Sequence, residues 1–304
     1  MKKVGFIGCG IMGKPMAANL LKVGYSVITH DLNLAQVREL EKLGAGSAGS
    51  PGDIASQKPD IIITMLPSSP DVEQVLCGDQ GVFETVQKGT LIIDMTTGDP
   101  LVSQRLASMA AEKGIDMLDA PVSGGEIGAI EGTLTIMVGG KREVFERGTE
   151  VLRAMGKNIV YAGESGMGAT VKLCNQMAFG INILGLAESI IFGARLGVKP
   201  EVQFQVLSNG SGRSFVQEKY YPVPGLVPNS PADRDFAPGF MTSLLSKDLG
   251  LVMSTANELK MPLATCSLAH QLYEAACANG LGKKDCTSVI NFLRQLTGEQ
   301  TVNL

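Results

Sequence analysis

The chain has 304 residues, enough for two domains, and its 44% hydrophobic content supports packed cores and argues against disorder. Its net charge of −4 comes without any Lys/Arg block, so nothing recommends nucleic acid as a partner. Six scattered cysteines (Cys9, Cys77, Cys174, Cys266, Cys277, Cys286) form no CxxC pair, and His30 and His270 have no ligand-spaced neighbours, which points to reduced thiols and away from a disulfide framework or a metal site.

The chain enters a strand at once, Lys3-Val4-Gly5-Phe6-Ile7-Gly8, so no signal or transit segment is expected ahead of it. A cytoplasmic protein is expected, and a processed mitochondrial form is also compatible with this start. The strand ends in Gly8-Cys9-Gly10-Ile11-Met12-Gly13, followed by a helical pattern from Pro15 and a second strand, Ser26 to Asp31. This is strand, GxGxxG, helix, strand, acid. Gly8 allows the tight turn, Gly10 lets the backbone approach a pyrophosphate, and Gly13 lets the helix pack on the sheet. Free N–H groups at Ile11 and Met12 then face the phosphates. Asp31 falls 18 residues after Gly13, where a carboxylate can accept hydrogen bonds from the adenosine ribose. Leu32 and Asn33 follow it and no Arg is adjacent, which favours NAD over NADP.

The α/β alternation continues. Residues 60–66 and 90–95 read as buried strands, 101–113 as a helix, and 115–118 as a further strand. Ligands bind beyond the strand C-termini of an open parallel sheet. Leu66, Pro67, Thr96 and Thr97 fall there as cofactor contacts, although the two threonines also suit turns. In Asp119-Ala120-Pro121-Val122-Ser123-Gly124-Gly125, the Ser123 hydroxyl and the N–H groups of Gly124 and Gly125 could cradle a carboxylate, or the segment is an ordinary Gly-rich loop. A strand over 133–138, a helix over 141–155 and a last strand over 158–161 complete this half.

From Gly168 an apolar pattern persists to Arg195, 28 residues or about 42 Å as a helix. Lys172, Glu188 and Arg195 bracket it and Asn175, Gln176 and Asn182 interrupt it, so a buried helix explains it better than a bilayer does. Lys172 and Asn175 are three apart and share a helix face. Lys172 is a candidate acid/base; a solvated surface lysine is the plain alternative. Beyond Arg195 only helices are expected, over 200–208, 240–259, 263–279 and 283–297. Between the first two lies an irregular apolar loop, 221–239, with five prolines.

Four segments, in this order, make the chain resemble the β-hydroxyacid dehydrogenase family from end to end. Phe6 to Leu20 is similar to that family's opening signature, with Cys9 where leucine is usual. Asp119 to Gly125 resembles its substrate-binding motif, and Gly168-Ala169-Thr170-Val171-Lys172-Leu173-Cys174-Asn175-Gln176 its catalytic motif. The family usually has a second asparagine where this chain has Gln176, a bulkier wall. Ser246-Lys247-Asp248-Leu249-Gly250-Leu251 resembles the C-terminal motif, whose lysine lies near the cofactor.

The resemblance implies an α/β Rossmann-type domain (1–163), a long interdomain helix (164–195) and an all-α C-terminal domain (196–304). It implies NAD-dependent oxidation of a primary alcohol β to a carboxylate. Lys172 would exchange the hydroxyl proton at the wall of a cleft, and Asn175 would orient the substrate. Ser123, Gly124 and Gly125 would hold the carboxylate, and Lys247 and Phe240 would lie by the cofactor, although Phe240 reads more readily as packing. Arg213 is either a solvated charge or a partner for a second substrate carboxylate. The segments Tyr221–Gly225, Gly239–Leu251 and Ser267–Tyr273 are most similar to the 3-hydroxyisobutyrate branch. Ser211–Ser214 is similar to the 2-(hydroxymethyl)glutarate branch, and reducers of tartronate semialdehyde or sulfolactaldehyde share the core motifs. A dimer or tetramer is expected from the long apolar helix, with no membrane partner. A catalytically silent cofactor-binding scaffold and an imine reductase are the rivals, and Lys172 argues against both.

Overall fold

The computed structural model describes residues 2–298. The chain divides into two compact units, with the division after Lys172. The expected architecture holds: an α/β Rossmann-type unit comes first, a helical unit second, and one long helix runs through the division.

The first unit is built on one sheet. Its elements in chain order are β1 (Lys3–Ile7), α1 (Gly13–Lys22), β2 (Ser26–His30), α2 (Leu34–Glu41), β3 (Gly46–Ser47), α3 (Pro51–Ser56), β4 (Ile61–Thr64), α4 (Ser69–Cys77) and α5 (Val82–Thr85). Then follow β5 (Leu91–Asp94), α6 (Pro100–Glu112), β6 (Asp116–Asp119), β7 (Val122–Ser123), α7 (Gly125–Glu131), β8 (Leu134–Gly139), α8 (Arg142–Leu152) and β9 (Gly156–Gly163). The strand order β3-β2-β1-β4-β5-β6 is the doubly wound order of dinucleotide-binding sheets. These six strands are parallel, as expected, but β8 joins β6 and β7 antiparallel, so the sheet as a whole is mixed.

Side chains alternate between two cores, because successive strand residues point to opposite faces. Val4, Phe6, Ile61, Ile63, Leu91 and Ile93 pack on one face with Met16, Ala17 and Leu20 of α1. Ile7, Ile62 and Ile92 pack on the other with Ile54 of α3 and Leu106 of α6. Both faces being covered, the strands read as unbroken apolar runs.

The pairing register sets one row across the sheet: His30, Ile7, Thr64, Asp94, Asp119, Gly139 and Gly163. The Gly-rich turn, Asp31, Leu66 and Thr96 come within two residues of members of this row, and the Ser123 segment follows Asp119 by way of the short β7.

The helix α9 (Met167–Arg195) has 29 residues, about 44 Å. By length and composition it could cross a membrane. Its second half instead supplies Ile183, Ala187 and Ile190 to the core of the second unit. That unit continues with α10 (Pro200–Asn209), α11 (Phe215–Lys219), α12 (Thr242–Glu258), α13 (Ala264–Ala276) and α14 (Val289–Leu296). Leu245, Leu249, Tyr273 and Ile290 complete its core. The proline-rich stretch 221–239 carries only a short 3-10 turn, Pro231–Arg234, and buries Tyr221 and Val223.

Asp285, fully buried, ties that stretch down. Its Oδ2 accepts from the N–H groups of Gly239 and Phe240, both at 3.0 Å, and its Oδ1 accepts from Thr287 N at 3.1 Å and Thr287 Oγ1 at 2.7 Å. Stranding buried donors costs about 1–3 kcal/mol for each. Asp285→Ala should therefore lose about 3 kcal/mol or more of stability. A urea midpoint unchanged from wild type would show that these bonds do not hold the loop.

Candidate active site

The GxGxxG turn separates its glycines by cause. Gly8 has φ +94°, and a Cβ there would meet Met65 O at 2.2 Å. A Cβ on Gly13 would sit 1.9 Å from Gly8 O. These two glycines are demanded by the chain's own close approach of strand, turn and helix. A Cβ on Gly10 would meet nothing within 4 Å, so its bareness serves something outside the chain. Ile11 is exposed, and no side chain caps the start of α1 at Met12. This open helix start with bare backbone fits a dinucleotide pyrophosphate.

Asp31 stands just past β2. Its Oδ2 accepts from Cys9 N and its Oδ1 from Asn33 N, both at 2.6 Å, which fixes the carboxylate beside the Gly-rich turn. Cys9 is fully buried, and burial followed by the Asp31 charge pushes its thiol up to about 12. It is therefore a neutral, apolar filler, and the departure from leucine leaves the turn intact. His30 lies at the end of β2, its Nδ1 3.1 Å from Ala48 O, a structural place.

The next two strand ends are braced together. Thr64 Oγ1 donates to Asp94 Oδ1 at 2.8 Å, Thr96 N donates to the same oxygen at 3.1 Å, and Leu66 N donates to Thr96 Oγ1 at 3.0 Å. Thr96 is thus buried and bracing, while Thr97 is half-buried and Pro67 exposed. Asp94 is a bracing residue at these strand ends that the motifs did not reveal. Its only signal was an acid closing an otherwise apolar strand.

Ser123 ends the short β7, half-buried. Gly124 (φ +135°) and Gly125 (φ +62°) follow in conformations that favour glycine, and Gly125 starts the helix α7, an element expected neither from the carboxylate cradle nor from the Gly-rich loop. Lys172 is buried one turn beyond Gly168 on α9, while Asn175 is exposed and Gln176 is buried. Spacings of three and four both share a helix face with Lys172. Burial here goes to the residue four along, not to Asn175.

Gln176 is engaged at both ends of its amide. Its Oε1 accepts from Asn175 Nδ2 at 3.1 Å, and its Nε2 donates to the buried Asp248 Oδ2 at 2.7 Å. Asp248 Oδ1 lies 3.2 Å from the Lys247 ammonium, an ion pair without hydrogen-bond alignment. Asn175, Gln176, Asp248 and Lys247 therefore form one polar chain in the second unit. Phe240 packs near Phe179, with ring centroids 6.5 Å apart, and belongs to that unit's apolar core. Arg213 is exposed and paired with Glu218, and this geometry adds nothing to a substrate role.

Known proteins match this arrangement. The family described as the NAD binding domain of 6-phosphogluconate dehydrogenase matches residues 3–163, and that described as NAD-binding of NADP-dependent 3-hydroxyisobutyrate dehydrogenase matches 166–293. The mitochondrial 3-hydroxyisobutyrate dehydrogenase of Homo sapiens is 44% identical over 96% of this chain and 87% of its own length. The chain belongs to the 3-hydroxyisobutyrate dehydrogenase (β-hydroxyacid dehydrogenase) family. The 2-(hydroxymethyl)glutarate dehydrogenase of Eubacterium barkeri is 42% identical over 97% of this chain and 96% of its own. A solved structure of Mycobacterium tuberculosis 3-hydroxyisobutyrate dehydrogenase with L-serine superposes with a TM-score of 0.92, at 33% identity, covering 97% of this chain and 99% of that one. As a member of this family the protein is an NAD-dependent dehydrogenase of hydroxy acids.

Asp94 gives this site a pH signature. Burial, with Asp119 as a like-charged neighbour, outweighs its hydrogen bonds and raises its carboxyl to about 6. The folded state then binds more protons than the unfolded chain between about pH 4 and 6, so stability falls as pH rises through that window. Asp94→Asn keeps both accepting contacts on Oδ1 and carries no charge. Its stability relative to wild type should grow from pH 4 to 6 and then level off, on the order of 2 kcal/mol above wild type. Denaturant titrations across that range check this, and a pH-independent difference would contradict it.

Proposed function

We propose that the protein oxidises the primary alcohol of a small 3-hydroxy acid, 3-hydroxyisobutyrate foremost, to its semialdehyde. The observation that carries this reading is the buried Lys172 on a helix that starts at the same sheet edge from which the Ser123 segment leaves. NAD, when bound, supplies the acceptor for the hydride that leaves the alcohol carbon. Gly8, Gly10, Ile11, Met12, Gly13 and Asp31 would hold it, with Leu66, Pro67, Thr96 and Thr97 at the neighbouring strand ends and Lys247 and Phe240 from the second unit.

The chain's own residues divide the remaining work. Ser123 Oγ and the N–H groups of Gly124 and Gly125 hold the substrate carboxylate. Lys172 Nζ takes the hydroxyl proton in oxidation and returns it in reduction. Asn175 orients the substrate through its amide. Orientation matters because hydride and proton transfer need the reacting atoms near contact distance. L-serine, present in the Mycobacterium tuberculosis structure, is also a primary alcohol β to a carboxylate. Semialdehyde reduction by a relative's route runs the same steps backwards. The six free thiols support a reducing compartment, the cytoplasm or a mitochondrial interior.

We further infer a homodimer or homotetramer. The amphipathic logic is incomplete in one chain: α10 buries none of its residues, and Phe192 near the end of α9, Leu196 just beyond it, and Val202 and Val206 on α10 are 69%, 69%, 51% and 64% exposed. Exposed apolar side chains grouped on neighbouring stretches of the sequence in this way fit a second copy. Sedimentation equilibrium should give a dimer or larger assembly, shifted toward monomer by Phe192→Glu. A wild-type monomer at micromolar concentration would sink the assignment.

Lys172→Ala should lower kcat on 3-hydroxyisobutyrate by about 10²–10⁴-fold, the range of general acid–base catalysis. NADH binding, followed by fluorescence, should hold. Turnover near wild type would remove Lys172 from the mechanism. In the same assay kcat/KM should be higher with NAD than with NADP, because Asp31 would face the added 2′-phosphate.

A further inference from the structure

Asp119 is the last residue of β6 and is buried. Both of its carboxylate oxygens reach the start of α9. Its Oδ1 accepts from Gly166 N at 2.7 Å and its Oδ2 from Ala169 N at 2.9 Å. These are donors at and just inside a helix N-terminus, where no intrahelical acceptor exists. A carboxylate at that end also meets the positive end of the helix dipole. An acid 47 and 50 residues away in sequence therefore does the work of a local N-cap.

The junction is tight enough to fix position as well as direction. A Cβ on Gly168 would meet Met137 O at 2.4 Å, Asp119 O at 2.5 Å and Gly139 N at 2.8 Å. A Cβ on Gly139 would meet Asp119 Oδ1 at 2.6 Å and Gly168 N at 2.7 Å. Two glycines on two elements are thus pressed against Asp119, Gly168 against its backbone carbonyl and Gly139 against its carboxylate. Lys172 follows Gly168 by four residues, on the same helix stripe one turn on. In the other direction, Ser123 follows Asp119 by four residues along the chain.

We propose that Asp119 is a positioning residue for catalysis: by clamping the first turn of α9 to the end of β6, it sets Lys172 at a fixed place relative to the Ser123 segment. The inference rests on the reading of Lys172 given above. Asp119 touches no reacting atom. It acts through the helix start, and a shift of that turn displaces the lysine by the same amount. Proton transfer tolerates little such displacement, since the general base must stay within hydrogen-bond reach of the proton it moves.

The test is Asp119→Asn, which preserves shape but turns one acceptor into a donor facing a backbone N–H. The expected result is a fall in kcat on 3-hydroxyisobutyrate of at least about tenfold, with NADH affinity unchanged. Placed in a Lys172→Ala background, the same substitution should not lower the residual turnover further, because the group it positions is gone. A purely structural role would lower NADH affinity and both backgrounds alike. Gly168→Ala, which leaves the carboxylate in place but pushes the helix start away, should reproduce the kcat loss and carries the test should Asp119→Asn not fold. Unchanged kcat in whichever of these variants folds, or an equal loss in the Lys172→Ala background, would overturn the proposal. The outcomes also separate the two readings. If Lys172→Ala itself keeps full turnover, the role of Lys172 fails; if it abolishes turnover while Asp119→Asn is silent, only the positioning role fails.

Discussion

The constraint on which the first unit depends is register. Strand pairing puts His30, Ile7, Thr64, Asp94, Asp119, Gly139 and Gly163 in one row across the sheet, parallel and in register from His30 to Asp119, antiparallel at Gly139 and across a register shift at Gly163. A slip of one residue in any strand would turn its apolar set to the wrong core. Because both faces are buried, no such slip is tolerated, and the edge of the sheet is sharp. The Gly8 turn, Asp31, Leu66, Thr96, the Ser123 segment and the start of α9 all leave from this edge. The burial that stabilises the fold is therefore the same feature that aligns segments more than a hundred residues apart in sequence.

Two acids close adjacent strands in this row, and they resolve their burial differently. Asp94 accepts on Oδ1 from Thr64 and Thr96, too little to outweigh desolvation, and its carboxyl is raised to about 6. Asp119 accepts on both oxygens from backbone N–H groups, yet burial still raises it. Buried charge of this kind is costly unless fully paired. An apolar residue at either position would leave N–H groups of the strand-end loops or of the helix start without acceptors. The charge stands where the backbone must stop being sheet and begin something else, and the cost of burying it is the cost of ending strands in the interior.

Much of this was readable before any coordinates, and the reason is locality. The GxGxxG turn, the acid after the second strand and the apolar strand runs each depend on near neighbours and on period. Ser50 and Pro51 are a helix-start signal of the same local kind: Ser50 Oγ accepts from Asp53 N at 3.0 Å with Pro51 in the first turn. The Gly124-Gly125 segment reads as an anion cradle or a loop and not as a helix start, because glycine marks all three. What no local pattern could give was Asp119. Its partners lie across the fold, and its place at the head of a Gly-rich motif made it look like the beginning of a turn. The antiparallel β8 was hidden for the same reason, since strand direction is decided by what the chain pairs with.

Gln176 shows how far helix geometry alone can go. Along an α-helix the residue three on from Lys172 lies about 60° to one side and the residue four on about 40° to the other. Sequence places both amides near the lysine and cannot say which one the core takes. The structure buries Gln176, whose amide donates to Asp248, and leaves Asn175 exposed. Glutamine's side chain is one methylene longer than asparagine's, and here its Nε2 stands 2.7 Å from Asp248 Oδ2 while its oxygen takes the Asn175 amide. The extra reach is thus used within the second unit to join α9 to α12 at the residue beside Lys247. The departure from the family's usual asparagine is better understood as a brace between two helices than as a bulkier wall, and a change of substrate is not needed to account for it.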